Sequence, residues 1–269
     1  MINVGVYGAL GKMGRSNIIA ANNHPDIKIT AAIENSNNQY IGQEIGPFCG
    51  IHDLPLKISD NLHDALKYLD VMLDFTTPDA TMKLIEANAK YKKALVIGST
   101  GLSTEQENII TNASKEYPIA YSPNFSIGTN LLFKLAEIAA EILNKENGYD
   151  LEIYEAHHRF KKDAPSGTAL KLARITADKS GRSFYDGVKY GRQGHTGERS
   201  PDEIGIHVVR AGDIVGEHTA MFCTQGERLE LTHKAHSRET FSKGAIMAAL
   251  FVSEKKNGLY EMWDVLNKA

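Results

Sequence analysis

The stretch "EAHHRFKKDAPSGTA" (155–169) is dense in residues that could do chemistry. Five of the six residues from His157 to Lys162 are basic or can become so, in a chain of formal net charge −3. Pro165 disfavours helix just before it and Ser166 is a good N-cap, so a helix is predicted to start here. The first-turn amides of Gly167 and Thr168 then face whatever lies at the helix start, a place that favours anions. With His157, His158, Arg159 and Lys161 beside them, these amides predict a pocket for a small anion, a carboxylate or two. Histidine and lysine are also proton donors whose pKa burial and neighbours can tune. Reduction of a carbon–carbon or carbon–nitrogen double bond, which needs a proton beside a hydride, is chemistry that such a loop could serve.

A second constellation opens the chain. "VGVYGALGKMGR" (4–15) sets Gly8, Gly11 and Gly14 directly after a strand pattern and at the mouth of a helix pattern. Glycines there let the backbone turn tightly and approach a pyrophosphate, while the helix start offers N–H groups and a favourable dipole. The spacing G-x-x-G-x-x-G is a variant of the dinucleotide fingerprint. Glu34 ends a second strand pattern 20 residues after Gly14, where an acid binds ribose hydroxyls. "DFTTP" (74–78), "GSTG" (98–101) and "SPNFS" (122–126) fall at the carboxyl ends of further strand patterns. Ligands of open α/β sheets bind along that rim.

Each feature has a plainer reading: a turn without a ligand, a helix cap, a solvated basic loop. Their combination favours a site. A metal centre is not expected, because His157 and His158 are adjacent and neighbours in extended chain point opposite ways. No nearby Cys or His-x₃-His supports zinc either. A nucleic-acid surface would need a broader basic face with interleaved aromatics.

The elements that must position these residues alternate through the first half. Strand patterns at 2–8, 27–34, 70–77, 94–101 and 118–126, with a weaker one in "LPLKISD", are separated by helix patterns. That alternation predicts a parallel sheet with helices on both faces. Thr77 with Pro78, and Ser103 with Gln106, have the spacing of helix starts. After about Ser126 the pattern changes to a long helix, "GTNLLFKLAEIAAEIL", and then the strand "YDLEIYEA" that feeds the basic loop. Residues 182–203 read as a long loop. "IGIHVVRAGDIVGEHTAMFCTQGERLELTHKA" reads as three strands joined by hairpins at "AGD" and "TQGE". The expected fold is α/β: a Rossmann-type doubly wound parallel sheet plus an α+β domain with a largely antiparallel sheet. The expected division is a dinucleotide-binding domain at 1–126, to which a C-terminal helix at 237–269 returns, and a substrate-binding and oligomerisation domain at 127–236.

Composition sets the limits. Hydrophobic residues at 42% and charged residues at 23% are those of an ordinary globular protein. The sequence pI of about 6.4 gives no reason to expect nucleic acid or an anionic membrane as partner. Two distant cysteines, Cys49 and Cys223, argue against a disulfide framework and fit a reducing cytoplasm. The chain opens directly on a strand pattern, so no signal peptide is expected, and no apolar run is long enough to span a membrane.

Taken together, "VYGALGKMGR", "DFTTP", "GSTG", "SPNFS", "EAHHRFKKDAPSGTA" and "VGEHTAMF" occur in the order found in bacterial dihydrodipicolinate reductases, and the chain resembles that family from Val4 to about Phe251. The basic stretch is the specific part of the resemblance. The resemblance implies hydride transfer from NADH or NADPH to a cyclic dicarboxylate, giving tetrahydrodipicolinate in the diaminopimelate route to lysine. It implies that His157 is a proton donor and acceptor and Lys161 a proton donor. It further implies that His158 contacts substrate and that the amides of Gly167 and Thr168 hold a carboxylate. The cofactor would be lined by Gly8, Ala9, Leu10, Gly11, Lys12, Met13, Glu34, Gly98, Ser99, Thr100, Ser122, Pro123, Asn124 and Phe125. A cytoplasmic homotetramer is implied as well. Two positions depart from the family's pattern. Lys162 stands where a small aliphatic residue is usual, and Asn35 where an arginine often follows the acid. The second departure predicts a preference for NADH or dual use. The cofactor half is equally compatible with another reductase on the same architecture, which only the basic motif excludes, and a non-catalytic dinucleotide sensor would have no use for His157 and Lys161 beside an anion site.

Overall fold

A computed structural model of the protein describes residues 1–267. They form two compact units, Met1–Ile127 with the segment from Arg238 onward, and Gly128–Ser237.

The first unit alternates strand and helix: β1 (Ile2–Tyr7), α1 (Lys12–Asn22), β2 (Ile27–Ile33), α2 (Gly46–Cys49), β3 (Ile58–Ser59), α3 (Leu62–Tyr68), β4 (Val71–Asp74), α4 (Pro78–Asn88), β5 (Ala94–Ile97), α5 (Thr104–Ala113) and β6 (Pro118–Tyr121). The chain then runs through α6 (Ile127–Ile142), β7 (Asp150–His157), α7 (Gly167–Lys179), α8 (Phe184–Gly187), β8 (Val188–Tyr190), β9 (Ile204–Arg210), β10 (Gly216–Thr224) and β11 (Glu227–Ala235) of the second unit. It returns to the first through α9 (Glu239–Ser253), β12 (Gly258–Tyr260) and α10 (Met262–Leu266).

The sheet of the first unit has the order β12-β6-β5-β4-β1-β2-β3, and every pairing in it is parallel. Side chains alternate across a strand, so each central strand feeds two cores. Val4, Val6, Val71, Leu73 and Val96 pack with Ile18 of α1 and Ala245, Ala248 and Val252 of α9. Met72, Leu95 and Ile97 pack with Leu66, Leu84 and Ile110 of α3, α4 and α5. This is the doubly wound architecture. Helix starts follow local chemistry: Thr77 caps α4, and Ser103 with Gln106 forms a capping box on α5.

The second sheet has the order β11-β10-β7-β9-β8 and is mixed: β10 is antiparallel to β11 and to β7, while β9 is parallel to β7 and to β8. "TQGE" is the expected hairpin, with Gly226 at φ +93°. "AGD" is not a hairpin, because β7 lies between β9 and β10. The segment expected as a loop contains α8 and β8, and it is pinned to the sheet by charge. Glu152 on β7 accepts hydrogen bonds from Arg192 Nη2 (2.8 Å), Arg199 Nε (2.9 Å) and His207 Nε2 (2.6 Å). Burial alone would raise the pKa of Glu152, but these donors hold it at about 2. Leu151, Ile153, Ile204, Ile206 and Phe222 form the core with α6 and α7. Along α6, Leu131, Leu135, Ile138 and Ile142 remain exposed.

Candidate active site

In the first unit the glycine loop is a backbone structure. Gly8 sits at φ +75°, a conformation that favours glycine. Its amide and that of Ala9 donate to the Ile33 carbonyl at 2.8 and 3.1 Å, which joins the loop to the end of β2. Gly14 lets α1 pack directly on this loop, since a Cβ there would lie 2.0 Å from the Gly8 oxygen. The N-cap of α1 is Gly11, with no side-chain cap hydrogen bond, and a helix start of that kind favours anions. Glu34 follows β2 directly. Its carboxylate accepts from the amides of Leu10 (2.7 Å) and Asn35 (3.2 Å). A carboxylate offers about four acceptor positions, so capacity remains for ribose hydroxyls. Lys12 is exposed and Met13 half-buried at the start of α1.

The other strand ends divide into exposed and internal parts. Ser99 is buried in a network with Asp74: Thr81 Oγ1 donates to Asp74 Oδ2 at 2.6 Å and lies 2.8 Å from Ser99 Oγ, while the Thr76 hydroxyl donates to Asp74 Oδ1 at 2.5 Å. Burial raises the Asp74 pKa against the pull of these hydroxyls. Ser122 is buried too, and its hydroxyl donates to the Asn124 carbonyl at 2.8 Å. Phe125 belongs to the core and packs on Phe75 with ring centroids 5.2 Å apart. Ser99, Ser122 and Phe125 therefore offer a ligand backbone more readily than side chain. Gly98, Thr100, Pro123 and Asn124 are exposed or half-buried.

In the second unit the basic stretch sits at the end of β7. Leu151, Ile153, Glu155 and His157 share one face of that strand by its period of two, and the first three are buried. Glu155 is thus a carboxylate in line with the core. It accepts four hydrogen bonds: His157 Nδ1 at 2.5 Å, the Ser166 amide at 3.0 Å, and Arg210 Nη1 and Nη2 at 2.9 Å each. Burial alone would raise the pKa of Glu155, but these donors pull it down to about 2. Strand register supplies the partners. His157 lies opposite Arg210 on β9, and Glu155 lies opposite His218 on β10. Burial, with a smaller contribution from the neighbouring His157 ring, lowers the pKa of His218 to about 3, so that ring is neutral. Its Nε2 lies 3.1 Å from Ser166 Oγ, and the same oxygen accepts the Ala169 amide at 3.2 Å as the N-cap of α7. The rings of His157 and His218 meet edge to face at 5.1 Å.

Gly167 is exposed and Thr168 buried at the start of α7. His158 is half-buried, with its carbonyl accepting the Lys161 amide at 3.1 Å. The Lys161 ammonium lies 3.0 Å from Asp163. Lys162 is exposed. Glu155, Arg210 and His218 were not singled out from the sequence. Glu155 was visible there as the residue two before His157, on the same strand face. Arg210 and His218 carried no local signal. The donor atoms of Glu155, His157 and His218 lie within 4.8 Å of one another, a spacing some metal sites have. Here the Glu155 oxygens are already engaged, two of the bonds coming from a guanidinium whose charge opposes a cation. The set is held together by hydrogen bonds to one carboxylate.

Comparison with known proteins places the chain in a family. A family model described as dihydrodipicolinate reductase, N-terminus, matches residues 2–125, and one described as dihydrodipicolinate reductase, C-terminus, matches residues 128–266. A 4-hydroxy-tetrahydrodipicolinate reductase of Hahella chejuensis is 44% identical over 266 residues, 99% of each chain. One of Chromobacterium violaceum is 46% identical over 264 residues, 98% of each chain. Among solved structures, a dipicolinate-bound dihydrodipicolinate reductase from Paenisporosarcina sp. TG-14 is 28% identical, covers 97% of each chain and superposes with a TM-score of 0.74. The chain belongs to the dihydrodipicolinate reductase family and is an oxidoreductase that uses a nicotinamide cofactor.

Proposed function

We propose that the chain acts as a 4-hydroxy-tetrahydrodipicolinate reductase, reducing the cyclic dicarboxylate made from pyruvate and aspartate semialdehyde to tetrahydrodipicolinate, in the diaminopimelate route to lysine. The observation that carries the residue assignments is the cluster at the end of β7. There His157, the basic loop and the N-capped start of α7 are built around one buried carboxylate.

In this reading the first unit binds the cofactor and the second binds substrate. Gly8 to Met13 and the start of α1 hold the pyrophosphate, Glu34 holds the adenosine ribose, and the backbone at 98–100 and 122–125 lines the remainder. The dinucleotide, when bound, supplies the hydride. The amides of Gly167 and Thr168 hold one substrate carboxylate and His158 contacts the ring. His157 and Lys161 supply the proton that balances the hydride, and the substrate's 4-hydroxyl leaves as water, so that hydride, proton and leaving group balance. The Lys161 pair with Asp163 is with a mostly exposed carboxylate, and such pairs contribute about 0–1 kcal/mol, so the ammonium can turn to a substrate at little cost.

The reading favours NADH, or dual use, over exclusive use of NADPH. The Glu34 carboxylate repels a 2′-phosphate, and Asn35 carries no charge. The Asn35 side-chain oxygen already accepts the Asn37 amide at 3.0 Å. Assembly as a homotetramer through the second unit belongs to the same reading, supported by the exposed apolar row on α6. So does work in the cytoplasm, supported by the free thiols of Cys49 and Cys223.

The test is loss of nicotinamide absorbance with substrate generated in situ by the preceding condensation. His157→Gln and Lys161→Ala are each expected to lower kcat by roughly 10²–10⁴-fold with cofactor affinity retained. Near wild-type turnover in both variants refutes the proton-donor assignment.

A further inference from the structure

We propose that Glu155 is a positioning residue for the reaction: it accepts the Nδ1 proton of His157, leaves Nε2 as the nitrogen that exchanges a proton with substrate, and ties that ring to the start of α7. The proposal rests on the reading of His157 as the proton-exchanging residue.

The hydrogen-bond inventory carries it. Every group around the Glu155 carboxylate is a donor. Arg210 grips both oxygens through Nη1 and Nη2 at 2.9 Å, and the Ser166 amide adds a third bond at 3.0 Å. Such a set requires the ionised, acceptor-only carboxylate. The fourth partner, His157 Nδ1 at 2.5 Å, must then carry a proton. A neutral imidazole has one N–H, so its lone pair is on Nε2. The bidentate arginine fixes the plane of the carboxylate and through it the plane of the ring.

The same residues hold the surrounding backbone. Arg210 Nη2 also donates to the Asp163 carbonyl at 2.6 Å, within the basic loop. Ser166, whose amide Glu155 receives, caps α7 with its hydroxyl. One carboxylate therefore sets the ring's tautomer, the loop's position and the helix start together. The charged and titratable groups that meet this cluster are Glu155 on the strand of His157, Arg210 on β9 and neutral His218 on β10, whose ring also feels the charge of Lys161 on the following loop.

Glu155→Gln keeps the shape and removes the charge. Its amide NH₂ must face at least one donor, because both oxygens now receive donors only. Facing His157, it favours the wrong tautomer. The Arg210 charge, no longer neutralised, disfavours the imidazolium.

The experiment measures kcat and KM across pH for wild type, Glu155→Gln, Glu155→Asp and His157→Gln. It also determines the protonated nitrogen of neutral His157 in the wild type by ¹⁵N NMR of histidine-labelled enzyme. In Glu155→Gln, kcat is expected to fall by roughly 10²-fold, with KM changing far less. The limb of its pH profile that His157→Gln abolishes should move to lower pH by about one unit. Glu155→Asp should recover part of the loss. The wild-type ring should be protonated at Nδ1. A Glu155→Gln enzyme with wild-type kcat and pH limb overturns the proposal, as does a wild-type ring protonated at Nε2. The NMR result decides even where a variant does not fold. Full turnover in His157→Gln overturns instead the proton-donor reading beneath it.

Discussion

Gly14→Ala tests whether the glycine loop holds its shape by backbone contact. The added Cβ would lie 2.0 Å from the Gly8 oxygen and 2.9 Å from two backbone atoms of Ala9, where ordinary contact begins at 3.4 Å. Relief needs a shift of more than an ångström, and the obstacle is backbone, so no rotamer change supplies it. That backbone is held in turn: the Gly8 and Ala9 amides bond Ile33 at 2.8 and 3.1 Å, and the Gly8 oxygen accepts the Gly11 amide at 3.0 Å. Overpacking of this kind costs about 1–3 kcal/mol, and weakening one or two of these bonds adds about 1 kcal/mol each. Against this, alanine is better than glycine inside a helix by about 1 kcal/mol. The net loss is about 1–4 kcal/mol, which lowers the melting temperature of a unit this size by roughly 2–16 °C. The displaced loop is the proposed pyrophosphate cradle, so NADH affinity should fall by at least about tenfold, equivalent to ~1.4 kcal/mol. Gly11→Ala is the control: its Cβ would meet the same oxygen at 3.1 Å, a gap that small adjustments can open, and its effect should be smaller. The assay pairs thermal unfolding with fluorescence titration of NADH. A Gly14→Ala protein that binds NADH as wild type does, with an unchanged melting temperature, refutes the reasoning.

Two further outcomes follow from the charges. Asn35→Arg should raise kcat/KM with NADPH relative to NADH, because a guanidinium beside Glu34 can pair with a 2′-phosphate; a wild type that strongly prefers NADPH and does not respond to the substitution shows that the phosphate is read elsewhere. The second unit should lose stability in acid: Glu152 and Glu155 are held at about 2 in the fold against an ordinary 4.5, so their contribution is present above about pH 5 and is lost as pH falls toward 2. That contribution is on the order of 3 kcal/mol for each at most, and denaturant unfolding between pH 7 and 3 should show it shrinking with acid, less steeply in Glu155→Gln; a flat profile in wild type contradicts the assignment.

What the sequence determined by itself is what rests on a few neighbouring residues. The turn at Gly8, the caps at Thr77, Ser103 and Ser166, and the two-core alternation of the parallel strands all depend on spacings of one to four residues. Local sterics and hydrogen bonding act at that range, so composition and period expose them. The basic stretch was legible for the same reason, since its cap and its titratable groups are contiguous. Tertiary structure decided who meets whom. "AGD" has the chemistry of a hairpin turn, but β9 pairs parallel with β7, and a parallel partner between two antiparallel strands leaves no local mark. Residues 182–203 lack periodicity, and Arg192 and Arg199 find Glu152 at separations of 40 and 47 residues. Arg210 reaches Glu155 across 55 residues, and His218 reaches Ser166 across 52. Only the register of β7 with β9 and β10 brings these groups to one end of the sheet. Register is set by the burial of whole strand faces, and this one also seats a charged carboxylate among four donors where an apolar residue would have satisfied the pattern.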